Sequence, residues 1–162
     1  MEGVLERAPV KRAQAAMTSL GLSGRIHVLE SAARTAADAA IALSIQVGQI
    51  ASSLLFRLPD GSPVLIITSG KHKVDTNLVA SNLEVDQLLR AEANYVKTIS
   101  GYSVGGVSPV GWLTDDHLVL IDQSLAEFEV IWAAAGHPHT VFPTTYNELC
   151  EATRARPMIV SG

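Results

Sequence analysis

The chain is 162 residues long, 48% hydrophobic and 17% charged, with a formal net charge of −4. That balance excludes a disordered chain and points to a compact fold, with a single domain over residues 1–162 as the expectation. The negative charge argues against tight non-specific binding to a nucleic-acid backbone but leaves room for a local basic patch. No apolar run has the length of a membrane span, and the opening Met1-Glu2-Gly3 does not read as a secretory signal. The lone Cys150 excludes an internal disulfide and fits a reducing, cytoplasmic setting.

Leu5, Val10, Ala13, Met17 and Leu20 recur at helical spacing, so residues 5–20 read as an amphipathic N-terminal helix, closed by Gly21 and Gly24. Arg25–Glu30 alternates and reads as a short strand. Thr35 has the chemistry of an N-cap, with Asp38 near the positive end of the alanine-rich helix that follows. After a turn over 44–48, residues 50–58 read as a short helical lead running into a strand, and Pro59-Asp60-Gly61 as a hairpin turn. The β-branched run Val64–Thr68 is a buried strand, and Ser69–Lys73 turns the chain at its end. Asp75 caps a helix reaching Asn82, and Asp86 a second reaching Arg90. A helix from Glu92 to Ser100 ends at Gly101. Further on, Leu118–Asp122, Val130–Ala134 and Thr140–Phe142 are strands, Tyr146–Arg154 is a helix, and residues 156–162 form a loose tail. Helices and strands mix without a strict βαβ rhythm. The fold expected is therefore α/β with α+β character: a mixed, partly closed sheet surrounded by helices.

The stretch most suggestive of chemistry is Gly101-Tyr102-Ser103-Val104-Gly105-Gly106-Val107-Ser108-Pro109-Val110-Gly111. Its glycines permit unusual backbone angles and close approach by another molecule, and exposed N–H groups suit a carbonyl, carboxylate or phosphate oxygen. A bare connection between two strands is the competing reading. Other chemistries find no support. The histidines His27, His72, His117, His137 and His139 form no HExxH frame, and no cysteine pair accompanies them. His137-Pro138-His139 reads as a polar turn. Gly106-Val107-Ser108-Pro109-Val110 lacks the second glycine of a nucleophile elbow, and Pro109 removes the N–H such an elbow needs, so Ser108 is a poor nucleophile. There is no Walker A sequence and no GxGxxG. Cys150 reads as packed within a helix rather than reactive.

Several segments taken together resemble one family. They are Gln49-Ile50-Ala51-Ser52-Ser53-Leu54-Leu55-Phe56, then Ser69-Gly70-Lys71-His72-Lys73-Val74-Asp75, then Thr98-Ile99-Ser100 leading into the glycine-rich run. Leu120-Ile121-Asp122-Gln123-Ser124-Leu125 and Trp132-Ala133-Ala134-Ala135-Gly136 follow in order. In order and spacing, residues 26–150 resemble the YbaK/ProX-type aminoacyl-tRNA deacylases, relatives of the editing insertion in bacterial prolyl-tRNA synthetase.

The resemblance implies a YbaK-like fold and hydrolysis, in trans, of the ester joining a small, wrong amino acid to the 3′-terminal adenosine of a tRNA. It implies the backbone of Gly105, Gly106 and Val107 as oxyanion donors, with Gly101, Ser108, Pro109, Gly111, Asp122, Lys71 and Lys73 as substrate-binding candidates. Lys71 and Lys73 as a solvated turn, and Asp122 as a turn cap, remain open alternatives. The partners implied are an aminoacylated tRNA 3′ end, bound weakly, and an aminoacyl-tRNA synthetase, with the chain a monomer or homodimer. No metal and no organic cofactor are expected. The chain departs from the family at Ser52, where relatives carry a lysine in a Gln-Ile-x-Lys-Ser-Leu pattern. Serine cannot supply that charge. Two alternatives therefore stand beside the deacylase: a binding module that keeps the pocket without the reaction, and a hydrolase of another small ester or amide on the same fold.

Overall fold

The computed structural model describes residues 3–114 and 116–162, which leaves Met1 and Glu2 of the N-terminal opening outside it. The fold is built around β3 (Pro63–Ser69), which follows β2 (Ala51–Arg57) through the Pro59-Asp60-Gly61 hairpin turn. Its apolar run is buried on both faces. Leu65 and Ile67 join one core cluster, while Val64 and Ile66 join another on the opposite side of the sheet. Such two-sided burial is what a continuous β-branched run requires. β5 (Leu118–Asp122) pairs in parallel with β3 and repeats the pattern, with Ile121 in the first cluster and Leu120 in the second.

The first of two sheets has the order β4-β2-β3-β5-β8, where β4 is Leu89–Arg90 and β8 is Arg156–Met158. The second is antiparallel with the order β1-β7-β6, comprising β1 (His27–Val28), β6 (Ile131–Ala134) and β7 (Thr140–Thr144). An isolated parallel bridge, Ile50 to Trp132, ties the two together. Around them lie α1 (Ala8–Ser19), α2 (Ala36–Leu43), α3 (Thr76–Asn82), α4 (Ala93–Ser100) and α5 (Tyr146–Thr153). The result is a mixed α/β fold with helices around joined sheets, as the sequence suggests.

Capping chemistry sets several helix starts. The side chains of Thr35, Asp75 and Thr145 accept hydrogen bonds from first-turn N–H groups of α2, α3 and α5. Gly101, with φ 81°, ends α4 in the left-handed region.

The structure differs from expectation in several places. The helix expected from residue 5 begins at Ala8, after a 3-10 turn over Val4–Glu6 and an extended Arg7, because Pro9 favours the first turn of a helix over its interior. Arg25–Glu30 supplies only two strand residues. The helix expected after Asp86 is absent: Leu89 and Arg90 instead pair with Arg57 and Phe56 at the edge of β2. A five-residue helix has little intrinsic stability, and an open sheet edge offers the same backbone better-defined partners. The expected loose tail is also a strand. β8 pairs with β5, Val160 is 1% exposed, and its carbonyl accepts the Asp75 N–H at 2.8 Å. Met158 and Val160 bury apolar surface in the second core cluster, which offsets the entropy cost of ordering the chain end.

Candidate functional site

The β2 strand is paired unequally. β3 covers its whole length on one side, whereas β4 reaches only Phe56 and Arg57 on the other. Ala51–Leu55 therefore forms an open edge, and a pocket of about 430 Å³ lies between it and Trp132–Ala134 of β6. Buried Ala51, Leu55, Val96, Val107 and Ala133 give the pocket apolar walls. Its polar lining comes from Ser52, Ser53, Thr35 and Thr140, together with the exposed Arg34 and Arg90. Among the described residues, no Asp, Glu or His lines the pocket. Ser53 Oγ is buried and lacks a hydrogen-bond partner.

The glycine-rich loop has two unlike halves. Its rear half is clamped. The buried Tyr102 hydroxyl donates to the carbonyls of Val110 (2.7 Å) and Gly111 (3.2 Å). Arg12 Nε donates to the Gly111 carbonyl at 2.7 Å, and the guanidinium lies 4.6 Å from the Tyr102 ring centre. Trp112 Nε1 donates to the Ser108 carbonyl at 2.6 Å. Burial pushes the Tyr102 phenol up to about 12, more than the nearby Arg12 charge pulls it down. The front half faces the pocket. Val104 is 61% exposed, and Gly105 adopts φ 94°, a region open chiefly to glycine. Among the described residues the N–H groups of Gly105 and Val107 find no hydrogen-bond acceptor, whereas the Gly106 N–H donates to the Ser103 carbonyl at 3.0 Å.

The structure brings together Ser52, Gly105 and Val107 of the residues singled out from sequence. It places the others elsewhere. Gly106 is buried behind the pocket wall, where an added Cβ would stand 2.9 Å from the His137 main chain. Its close backbone neighbour is thus the protein itself, and its N–H is already engaged. Gly101 packs under the Arg12 guanidinium. Ser108 is fully buried, and its Oγ accepts the Val110 N–H. Pro109 and Gly111 border a separate depression beside Trp112 and His117.

Asp122 lies in another polar cluster, at the ends of the parallel strands. Its Oδ2 accepts from the Ser69 N–H (3.0 Å), Thr68 Oγ1 (3.3 Å) and His72 Nδ1 (2.8 Å). Its Oδ1 accepts from the Ser124 N–H and Oγ. Burial alone would raise the carboxyl, but the hydrogen bonds from His72, Ser69 and Ser124 outweigh it and hold the group below the ordinary carboxylate range. Lys71 pairs with both Glu127 oxygens at 3.2 Å, and exposed Lys73 follows on the same turn. None of the three lines the pocket.

Sequence reading missed Arg34, Arg90 and Trp132 as pocket residues. No local pattern marks them. Arg34 is a lone cation before an N-cap, and Arg90 reaches the pocket only because β4 docks on β2.

Three comparisons bear on this arrangement. Residues 30–152 match the aminoacyl-tRNA editing domain family. The uncharacterized protein YwhH of Bacillus subtilis (strain 168) is 30% identical over 122 residues, covering 75% of this chain and 76% of YwhH. The proline–tRNA ligase of Leuconostoc citreum (strain KM20) is 31% identical over 85 residues, 52% of this chain but 14% of that ligase. Among solved structures, a proposed trans-editing enzyme for prolyl tRNA synthetase superposes with a TM-score of 0.89 at 30% identity, covering 96% of this chain and 98% of that one.

Proposed function

The chain belongs to the aminoacyl-tRNA editing domain family, and from that premise we propose that it hydrolyses, in trans, the ester of a tRNA mischarged with a small amino acid. The observation that carries this reading is the pair of N–H groups, on Gly105 and Val107, that meet no acceptor among the described residues at the wall of an apolar pocket. An aminoacyl ester is intrinsically reactive. A site that aligns water with it and stabilises the developing oxyanion supplies most of what the reaction needs. Among the described residues the lining offers no carboxylate or imidazole as a general base. Preorganised backbone donors carry the catalysis, one such donor being worth roughly 10²–10³ in kcat elsewhere. The alanines at 51 and 133 and the aliphatic walls favour a small amino acid and exclude a bulky one by volume.

Ser52 favours a second reading, in which the site binds an aminoacylated end without turning it over. A panel of tRNAs charged with small and large amino acids separates the two. The deacylase reading expects release of one or more small amino acids well above the spontaneous rate, with bulky esters untouched. No acceleration for any member, with retained affinity for the charged end, would leave the binding role in its place.

A further inference from the structure

The front of the loop meets two other segments, and a third packs beside them. The Arg34 side chain lies along Gly105, since a Cβ there would stand 3.7 Å from Arg34 Cγ. The His137 main chain packs against Gly106, and the Pro9 carbonyl packs against Gly136, 2.8 Å from where its Cβ would be. Arg7, exposed at the start of α1, stands two residues before Pro9 and so on the chain segment that packs against Gly136, the neighbour of His137. The charge here opposes the chain's net −4. The ion pairs found among the described residues are Lys11–Glu6, Lys71–Glu127 and His72–Asp122, so neither Arg7 nor Arg34 has a carboxylate partner. His137 senses the local field: its imidazole is held below the ordinary value first by burial, then by Arg7, His139 and Arg34, with no carboxylate pulling the other way. With Arg34 in the pocket lining, Arg7 at the neighbouring start of α1, and neither in an ion pair among the described residues, their donors stay free for an external anion, and a guanidinium matches phosphate geometry well.

We propose that Arg34 and Arg7 form a phosphate subsite at the rim of the pocket, which holds the sugar–phosphate backbone leading into the reacting end of a tRNA. This inference rests on the editing reading of the pocket and adds where the nucleic acid runs: across the Gly105 side, toward the start of α1. The ligand chemistry is a phosphodiester chain, and a free mononucleotide phosphate is the alternative source.

The test is a salt titration of uncharged tRNA binding to wild type, Arg7→Ala, Arg34→Ala, Arg34→Lys and the double alanine variant, with Lys71→Ala, a cation paired with Glu127 and outside the pocket lining, as a control. Both arginines are exposed, and circular dichroism checks that each variant is folded. Each alanine substitution is expected to weaken binding by roughly threefold to tenfold at low salt and to reduce the slope of log K against log salt by about 1. Arg34→Lys restores most of the slope, and Lys71→Ala leaves it unchanged. Wild-type slope and affinity in both single alanine variants and the double would overturn the subsite. Competition by adenosine monophosphate as effective as that by tRNA, with a slope well under 1, would overturn the backbone assignment in favour of a mononucleotide. Hydrolysis is scored separately. A wild type without turnover but with arginine-dependent binding removes the deacylase reading and keeps the subsite. Turnover with arginine-independent binding removes the subsite and keeps the reading.

Discussion

The Asp122 cluster and the mouth of the pocket are both polar, and they differ in satisfaction. Around Asp122 the polar groups pair with one another. The carboxylate gathers Ser69, Thr68, His72 and Ser124, and Ser69 Oγ goes on to the Gly48 carbonyl at 2.8 Å. At and beside the mouth, the N–H groups of Gly105 and Val107, Ser53 Oγ and the guanidiniums of Arg34 and Arg7 have no hydrogen bond or ion pair among the described residues. Both regions contain residues that look functional in a sequence. Buried polar groups without partners cost free energy, so a fold closes its hydrogen bonds where it needs only stability. On the editing reading, a ligand completes those left open at the mouth. Asp122 ties together the ends of β3 and β5, while the mouth stores unused donors.

That contrast can be broken by experiment. The largest effect is expected at Asp122. Asp122→Ala strands the Ser69 N–H and neighbouring hydroxyls, so stability should fall by about 3 kcal/mol, a drop in Tm of roughly 6–12 °C for a chain of this size, read by thermal unfolding. The pH dependence has a definite sign. A carboxyl held below its ordinary value in the fold stabilises above the unfolded value of about 3.9, and that contribution is lost as pH falls through the depressed folded value. The wild-type advantage over Asp122→Ala should therefore be full at neutral pH and shrink in acid. A constant gap down to strongly acidic pH would show that the charge is not what stabilises.

Gly106→Val comes next. Its first added carbon would crowd the His137 main chain, so a loss of about 1–3 kcal/mol is expected from overpacking, again by thermal unfolding. Impaired tRNA binding with undiminished stability would show that the glycine serves a ligand and not the packing of two loops. The smallest effect belongs to Lys71→Ala. An exposed pair such as Lys71–Glu127 contributes about 0–1 kcal/mol, and the residue does not line the pocket. Unfolding and tRNA titration should both stay close to wild type. A clear loss of tRNA affinity would erase the distinction between the two regions.

Much of the fold was legible because its causes are local. Thr35, Asp75 and Thr145 carry side chains that cap the next turn, and Pro59-Asp60-Gly61 can do little but reverse the chain. The apolar run at 64–68 has to be buried on both faces. The misread segments, 86–90 and 156–162, share a different cause: each contains a short strand held by a sheet edge and a core cluster that distant parts of the chain supply.

The candidate site divides along the same line. Sequence alone determined that residues 101–111 form a glycine-rich loop with backbone donors and that position 52 lacks a cation, because both are properties of residue type. Only the tertiary structure decided which donors are free. Gly106 spends its N–H on Ser103 and its missing side chain on His137, while Gly105 and Val107 stay open. Tertiary structure also decided that the charges at the pocket are Arg34 and Arg90 and not Lys71 and Lys73. Hydrogen-bond satisfaction and the company a charge keeps depend on groups tens of residues away, which no local pattern records.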